Sequence, residues 1–171
     1  MPPGDDERLA GRVRGRVPET DGPVRSPVPT PMLQPWEVYD QDLFDLEMLR
    51  VFARSWVWLG DTEDLARPGD YITGTIGYQA VLVVRTATGD IKGYLNTCRH
   101  RAASVVTGPA GNCGSSMTCP YHNWAYDLDG RLIGIPDRVR MYPDGLAMHE
   151  YGLVPIQIGR ASCRERVCVP V

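Results

Sequence analysis

A mainly β, antiparallel fold preceded by one short helix is predicted, and three features of the chain predict it. Stretches rich in β-branched and aromatic residues, Val57 to Leu59, Tyr71 to Ile76, Ala80 to Arg85, Ile91 to Leu95 and one around Met117, are separated by Gly, Asp and Thr turns. Thr88-Gly89-Asp90 and Asp129-Gly130 read as hairpin turns, the second as a two-residue loop. Upstream, apolar residues recur at Leu43, Leu46, Leu49 and Phe52, the spacing of one helix face.

The elements follow in order. Residues 1–35 carry Pro2, Pro3, Pro18, Pro23, Pro27, Pro29 and Pro31 among charged residues, with no apolar periodicity. Such a segment cannot bury enough surface to offset its ordering entropy and is expected to be a disordered tail. Arg8, Arg12, Arg14 and Arg16 would suit a transit peptide, but Asp5, Asp6 and Glu7 argue against one. A domain is expected over 36–157. In its leading helix Asp40 is placed to cap, Asp42 and Asp45 complement the macrodipole, and the apolar stripe, with Trp56 near the end, should be buried. The strands then carry two loops, each ending in a pair of potential metal ligands.

Composition bounds the function. A chain of 171 residues, 43% hydrophobic and 23% charged, has room for one compact domain with tails. Its net charge of −3 gives no support for a nucleic-acid partner. No apolar run approaches the ~18 residues of a membrane span, and the start lacks a signal-peptide core. A cytoplasmic protein with no membrane association is expected.

The chemistry lies in Cys98, His100, Cys119 and His122, a Cys-x-His pair and a Cys-x-x-His pair eighteen residues apart. Two thiolates and two imidazoles satisfy a Rieske [2Fe–2S] centre, in which His₂ replaces Cys₂ on one iron. The same four side chains could close a tetrahedral zinc site. Either way, two short loop tips must turn their ligands toward one place. Pro120 fixes φ where the second loop bends. Asn123, after the last ligand, tolerates the left-handed backbone expected there.

The flanks decide between the metals. Asn96-Thr97-Cys98-Arg99-His100-Arg101-Ala102 and Thr118-Cys119-Pro120-Tyr121-His122-Asn123-Trp124-Ala125-Tyr126-Asp127 resemble the Rieske domain of the Rieske non-haem iron oxygenases, large (alpha) subunits of the aromatic-ring hydroxylating dioxygenase family. The resemblance covers roughly Trp36 to Gln157. It implies a [2Fe–2S] cluster, a reductase or ferredoxin as electron donor, and a homo- or hetero-oligomeric parent. In that parent, electrons would pass to a mononuclear iron that activates O₂ for mono- or dioxygenation of an organic substrate. Rieske subunits of cytochrome complexes carry an extra disulfide-forming cysteine in each loop and a serine against a cluster sulfur. Here those positions are Ala103, Tyr121 and Trp124. Fewer hydrogen bonds to sulfur imply a potential toward the low end of the roughly −150 to +300 mV Rieske range. Trp124 and Tyr126 read as packing residues at the base of the tip. Arg99 and Arg101 read as solvated charge or as a face for an electron-transfer partner.

The mononuclear iron of such oxygenases needs two histidines and a carboxylate. With His100 and His122 assigned, only His149 remains, so the catalytic domain is expected to be absent. Residues 158–171, containing Ile158-Gly159-Arg160-Ala161-Ser162-Cys163-Arg164-Glu165-Arg166-Val167-Cys168, resemble a translated sequencing adapter and are set aside as foreign. Cys113, between Gly turns, is expected to be a small half-buried residue. A freestanding Rieske-type ferredoxin and a zinc-bound structural module are the other functional classes these residues allow.

Overall fold

The computed structural model describes Ala10, Arg12 and residues 35–52, 55–161 and 166–170. The chain divides into two compact units, Met1–Arg54 and Ser55–Val171. The Pro-rich segment read as a tail lies, apart from Ala10 and Arg12, outside the described residues before Pro35.

In the first unit, Pro35–Val38 makes a 3₁₀ turn and Gln41–Arg50 forms helix α1. Asp40 caps it as expected: its backbone is extended and its Oδ1 accepts the Leu43 N–H at 2.9 Å. The expected buried stripe is corrected. No residue of α1 is buried, Leu43, Leu46 and Leu49 are half-buried, and Phe52 is exposed beyond the helix end. At about 100° per residue, Leu43, Phe44, Leu46, Met48 and Leu49 are spread round most of the helix, so no single face gathers them.

The second unit is built from short antiparallel strands: β1 (Trp56–Asp61), β2 (Asp70–Ile76), β3 (Gln79–Arg85), β4 (Ile91–Leu95), β5 (Ala110–Asn112), β6 (Ser116–Thr118), β7 (Ala125–Asp127), β8 (Leu132–Gly134), β9 (Pro155–Ile156), β10 (Gly159–Ala161) and β11 (Arg166–Pro170). They form a central sheet in the order β5-β2-β3-β4-β9, a second sheet β6-β7-β8 and a third β1-β11-β10. A four-residue helix α2, Arg138–Met141, follows β8. Every strand expected from the sequence is present: β4 has the expected bounds, β2 and β3 each begin one residue earlier, and β1 extends further at both ends.

β3 shows why its sequence lacks polar alternation. Val81 and Val83 pack with Leu65, Ile72 and Ile76 on one face of the sheet, while Leu82 and Val84 join the cluster of Tyr94, Cys98, Cys119 and Tyr126 on the other. A strand covered on both faces reads as one apolar run. The ligand loops therefore share a core with the central strand. β10 and β11 lie inside the segment set aside as foreign, and β11 pairs with β10 on one side and with β1 on the other. Backbone N–H and C=O groups carry that pairing, and a strand-forming stretch such as Val167-Cys168-Val169 supplies them.

The Asp129-Gly130 turn is three residues long, not two. Gly130 N–H bonds Asp127 C=O at 3.0 Å and Asp127 N–H bonds Arg131 C=O at 2.9 Å, with Gly130 at φ 78°. Thr86 to Asp90 repeats the pattern, Gly89 N–H to Thr86 C=O at 3.0 Å and Thr86 N–H to Asp90 C=O at 2.7 Å, with Gly89 at φ 92°. Both are type I turns closed by a left-handed glycine. Their surroundings differ: a Cβ at Gly89 would meet nothing within 4 Å, whereas one at Gly130 would lie 2.5 Å from the Tyr94 ring. Gly89→Ala should cost about 1 kcal/mol through backbone strain alone. Gly130→Ala should cost about 3 kcal/mol, because the buried ring must also shift. Urea unfolding of both variants checks this, and equal losses would contradict it.

Candidate metal centre

The two ligand loops share one backbone conformation. In the first, between β4 and β5, Cys98 N–H bonds Ala103 C=O and Ala102 N–H bonds Cys98 C=O, at 2.8 and 3.0 Å. In the second, between β6 and β7, Cys119 N–H bonds Trp124 C=O and Asn123 N–H bonds Cys119 C=O, both at 2.9 Å. The fourth residue after each cysteine is left-handed, Ala102 at φ 58° and Asn123 at φ 55°. Asn123 meets its expectation. Ala102 does not tolerate this region easily, and strain of about 1 kcal/mol is held there by the surrounding bonds.

These turns bring all four expected ligands together. Cys98 and Cys119 are buried, at 3% and 1% exposure, in the same core cluster. The imidazoles of His100 and His122 meet edge to face with centroids 4.6 Å apart. His100 Nδ1 is buried with no hydrogen-bond partner. Such an orphan is costly in a folded protein unless something outside the chain binds it, and a metal ion is the natural acceptor of its lone pair. Burial, then the charges of His122 and Arg101, hold His100 below its ordinary pKa, in the neutral form that ligates metals. Burial pushes the Cys119 thiol up, against the Tyr121 and His122 backbone N–H groups that favour its thiolate. Iron bound to the thiolate would offset that cost.

The donor set by itself admits two metal readings. A structural zinc needs four ligands converging on one ion. Among the described residues no three His, Cys, Asp or Glu side chains are placed to hold a single ion. A binuclear cluster asks only two ligands of the protein per iron, and the donor set of two thiols and two imidazoles fits it.

Three neighbours position the ligands. Trp124, buried, stacks on His100 with centroids 4.8 Å apart and planes 10° apart, which fixes the ring. Tyr126 does more than the packing expected of it. Its hydroxyl oxygen accepts the Arg99 N–H at 3.0 Å and stands 3.3 Å from Cys98 Sγ, and a metal-bound thiolate there would leave the hydroxyl as the donor. Burial, then the Cys98 thiol, raises its pKa and keeps it a donor. Asn96, buried at the base of the first loop, accepts the N–H groups of Val105 and Val106 at 2.9 and 3.1 Å and donates to Val106 C=O at 2.9 Å. Sequence reading missed Asn96, Ala102 and the Tyr126 hydroxyl. Superposing the loops on their cysteines would have flagged Ala102, which aligns with Asn123.

The remaining candidates stand apart. Cys113 is half-buried, with its Sγ donating to Gly69 C=O at 3.2 Å. His149 is exposed, 4.0 Å from Glu150. Beside the imidazoles opens a depression of about 220 Å³, walled on its far side by Ile135, Asp137, Met141 and Tyr142. Among the described residues no helix is long and apolar enough to cross a membrane.

Residues 55–151, more than half of the chain, match the family described as Rieske [2Fe-2S] domain. The chain belongs to that family. Its Rieske domain is similar to the benzene 1,2-dioxygenase subunit alpha of Pseudomonas putida, 47% identical over 97 residues, which are 57% of this chain and 21% of that protein. The glycine betaine monooxygenase oxygenase subunit of Pseudomonas aeruginosa is 38% identical over 123 residues, 72% of this chain and 28% of that protein. In structure, the Rieske domain resembles naphthalene 1,2-dioxygenase from Rhodococcus sp. bound to indole, with a TM-score of 0.72, 30% identity, and coverage of 78% of this chain and 30% of that one. The chain thus spans between a fifth and a third of the proteins it resembles. Membership of the family assigns a [2Fe–2S] cluster and sets the zinc reading aside.

Proposed function

We propose that Cys98 and Cys119 hold one iron of the cluster, that His100 and His122 hold the other, and that the chain relays single electrons. The convergence of these four side chains, with His100 Nδ1 buried and unpartnered, carries the reading. When bound, the cluster supplies a one-electron redox couple. The chain's residues do the rest: the buried cysteines keep water from the sulfur end, Trp124 holds the His100 ring, and Tyr126 donates to Cys98 Sγ. The imidazoles line the open depression, so the natural route for an electron runs through them.

In this reading a reductase or ferredoxin supplies the electrons in the cytoplasm. They pass toward a mononuclear iron in a longer, oligomeric oxygenase alpha subunit, to which residues 158–171 are foreign. The similarity to dioxygenase and monooxygenase subunits supports this. A genomic reading frame running on from Gln157 into a catalytic domain is the expected finding; a natural stop after Val171 would overturn that part.

The ligand assignment is tested on the full chain loaded anaerobically with iron and sulfide. It should be coloured and bleach with dithionite. Cys119→Ser and His122→Ala should each lose the colour, while His149→Ala keeps it. Full colour in either ligand variant would refute the assignment.

A further inference from the structure

Among the described residues three that are not glycine hold a left-handed backbone: Ala102, Asn123 and Asp137. Such residues gather where a site constrains the chain, and the first two belong to the ligand loops. Asp137, at φ 48°, lines the depression across from the imidazoles of His100 and His122. Its local structure does not account for it. It stands at the N-cap of α2, yet its side chain makes no cap bond, and α2 buries no residue. Its carbonyl accepts the N–H groups of Arg140 and Met141, each at 2.9 Å. Among the described residues its carboxylate makes no ion pair.

Asp137 is the only acidic residue lining the depression, and no arginine or lysine lines it. Arg138 and Arg140 follow on α2, both exposed, and Arg138 Nη1 turns to Met148 Sδ at 3.1 Å. At about 220 Å³ the space is small enough for its walls to face each other within a Debye length, roughly 10 Å at 0.1 M salt. A negative charge at that range disfavours the arrival of an electron on the opposite wall.

We infer that the Asp137 carboxylate lowers the reduction potential of the cluster by acting across the depression on its histidine end. The left-handed backbone at Asp137 is what sets the carboxylate there. The inference rests on the electron-relay reading above, because a centre that passes electrons on is served by a low affinity for them. Asp137 binds no iron and moves no proton; it acts only through its charge, so its effect follows that charge and is screened by salt.

The test is a potentiometric titration of the full chain loaded with iron and sulfide, followed by visible absorption at low salt. Asp137→Asn removes the charge and keeps a residue suited to a left-handed backbone. At the parent's midpoint potential its reduced cluster should outnumber the oxidised form about threefold, a rise of roughly 28 mV at 59 mV per decade for one electron. Asp137→Gly, a second neutral variant that also suits this backbone, should rise with it. Asp137→Glu should stay near the parent, and the rise in Asp137→Asn should shrink at 1 M salt, where the Debye length is about 3 Å. An unchanged ratio in either neutral variant, or a rise in Asp137→Glu as large as in Asp137→Asn, would overturn the role of the carboxylate. Failure of the parent chain itself to bleach with dithionite would instead sink the electron relay, and this inference with it.

Discussion

Tyr126→Phe lowers the reduction potential of the cluster by about 40 mV, on the argument that one hydrogen bond to sulfur differs by about 1 kcal/mol between the redox states. The phenol is buried, its oxygen accepts the Arg99 N–H, and Cys98 Sγ, 3.3 Å away, can only accept from it once that sulfur is a metal-bound thiolate. Reduction increases negative charge on the sulfurs, which strengthens a bond donated to them. Removing the donor therefore disfavours the reduced form. Phenylalanine preserves the packing of the shared core, so the change should show in the potential while the visible spectrum of the oxidised cluster persists. The parent potential is expected toward the low end of the Rieske range, since Trp124 offers its indole to the His100 ring and no hydroxyl to sulfur. Potentiometric titration of parent and variant checks both statements. An unchanged or higher potential in Tyr126→Phe would show that the hydroxyl does not donate to the sulfur.

Asn96→Ala destabilises the folded chain by about 3 kcal/mol, because it strips the acceptor from two backbone N–H groups at once. Val105 N–H is buried and Val106 N–H partly so, and neither can turn to water without opening the first loop. The Val106 carbonyl loses its donor as well. The same three bonds close the base of the loop that carries Cys98 and His100, so the cluster should also be lost faster to a chelator. Urea unfolding of the loaded chain, together with chelator-driven bleaching, measures the two effects. A loss below about 1 kcal/mol would mean that the loop is held elsewhere.

What could be read in the sequence was local. Strands came from short β-branched runs, the cap from Asp40, and the ligands from two spacings of two and three residues. The left-handed turn at Asn123 was visible because asparagine is one of the few residues suited to it. The structure added what depends on contacts between distant positions. Cys98 and Tyr126 are 28 residues apart, and no spacing rule connects a hydroxyl in one strand to a sulfur in another loop. Asn96 is coupled to a valine nine residues on through an irregular loop, where no period exists to be read. The burial of α1 was overestimated because three leucines at helical spacing hid the Phe44 and Met48 beside them. The second hairpin was read one residue too short, since Asp-Gly suits both a two-residue loop and the last positions of a three-residue one.

The account turns on two histidine nitrogens binding one iron of the cluster while two cysteines bind the other. Pulsed EPR of the dithionite-reduced full chain, loaded with iron and sulfide and labelled with ¹⁵N only at histidine, tests it most directly. Couplings to two inequivalent ¹⁵N nuclei are predicted, one of them lost in His100→Ala or His122→Ala chains wherever a residual cluster forms, and both kept in His149→Ala. A reduced cluster with no histidine nitrogen coupling would contradict the account.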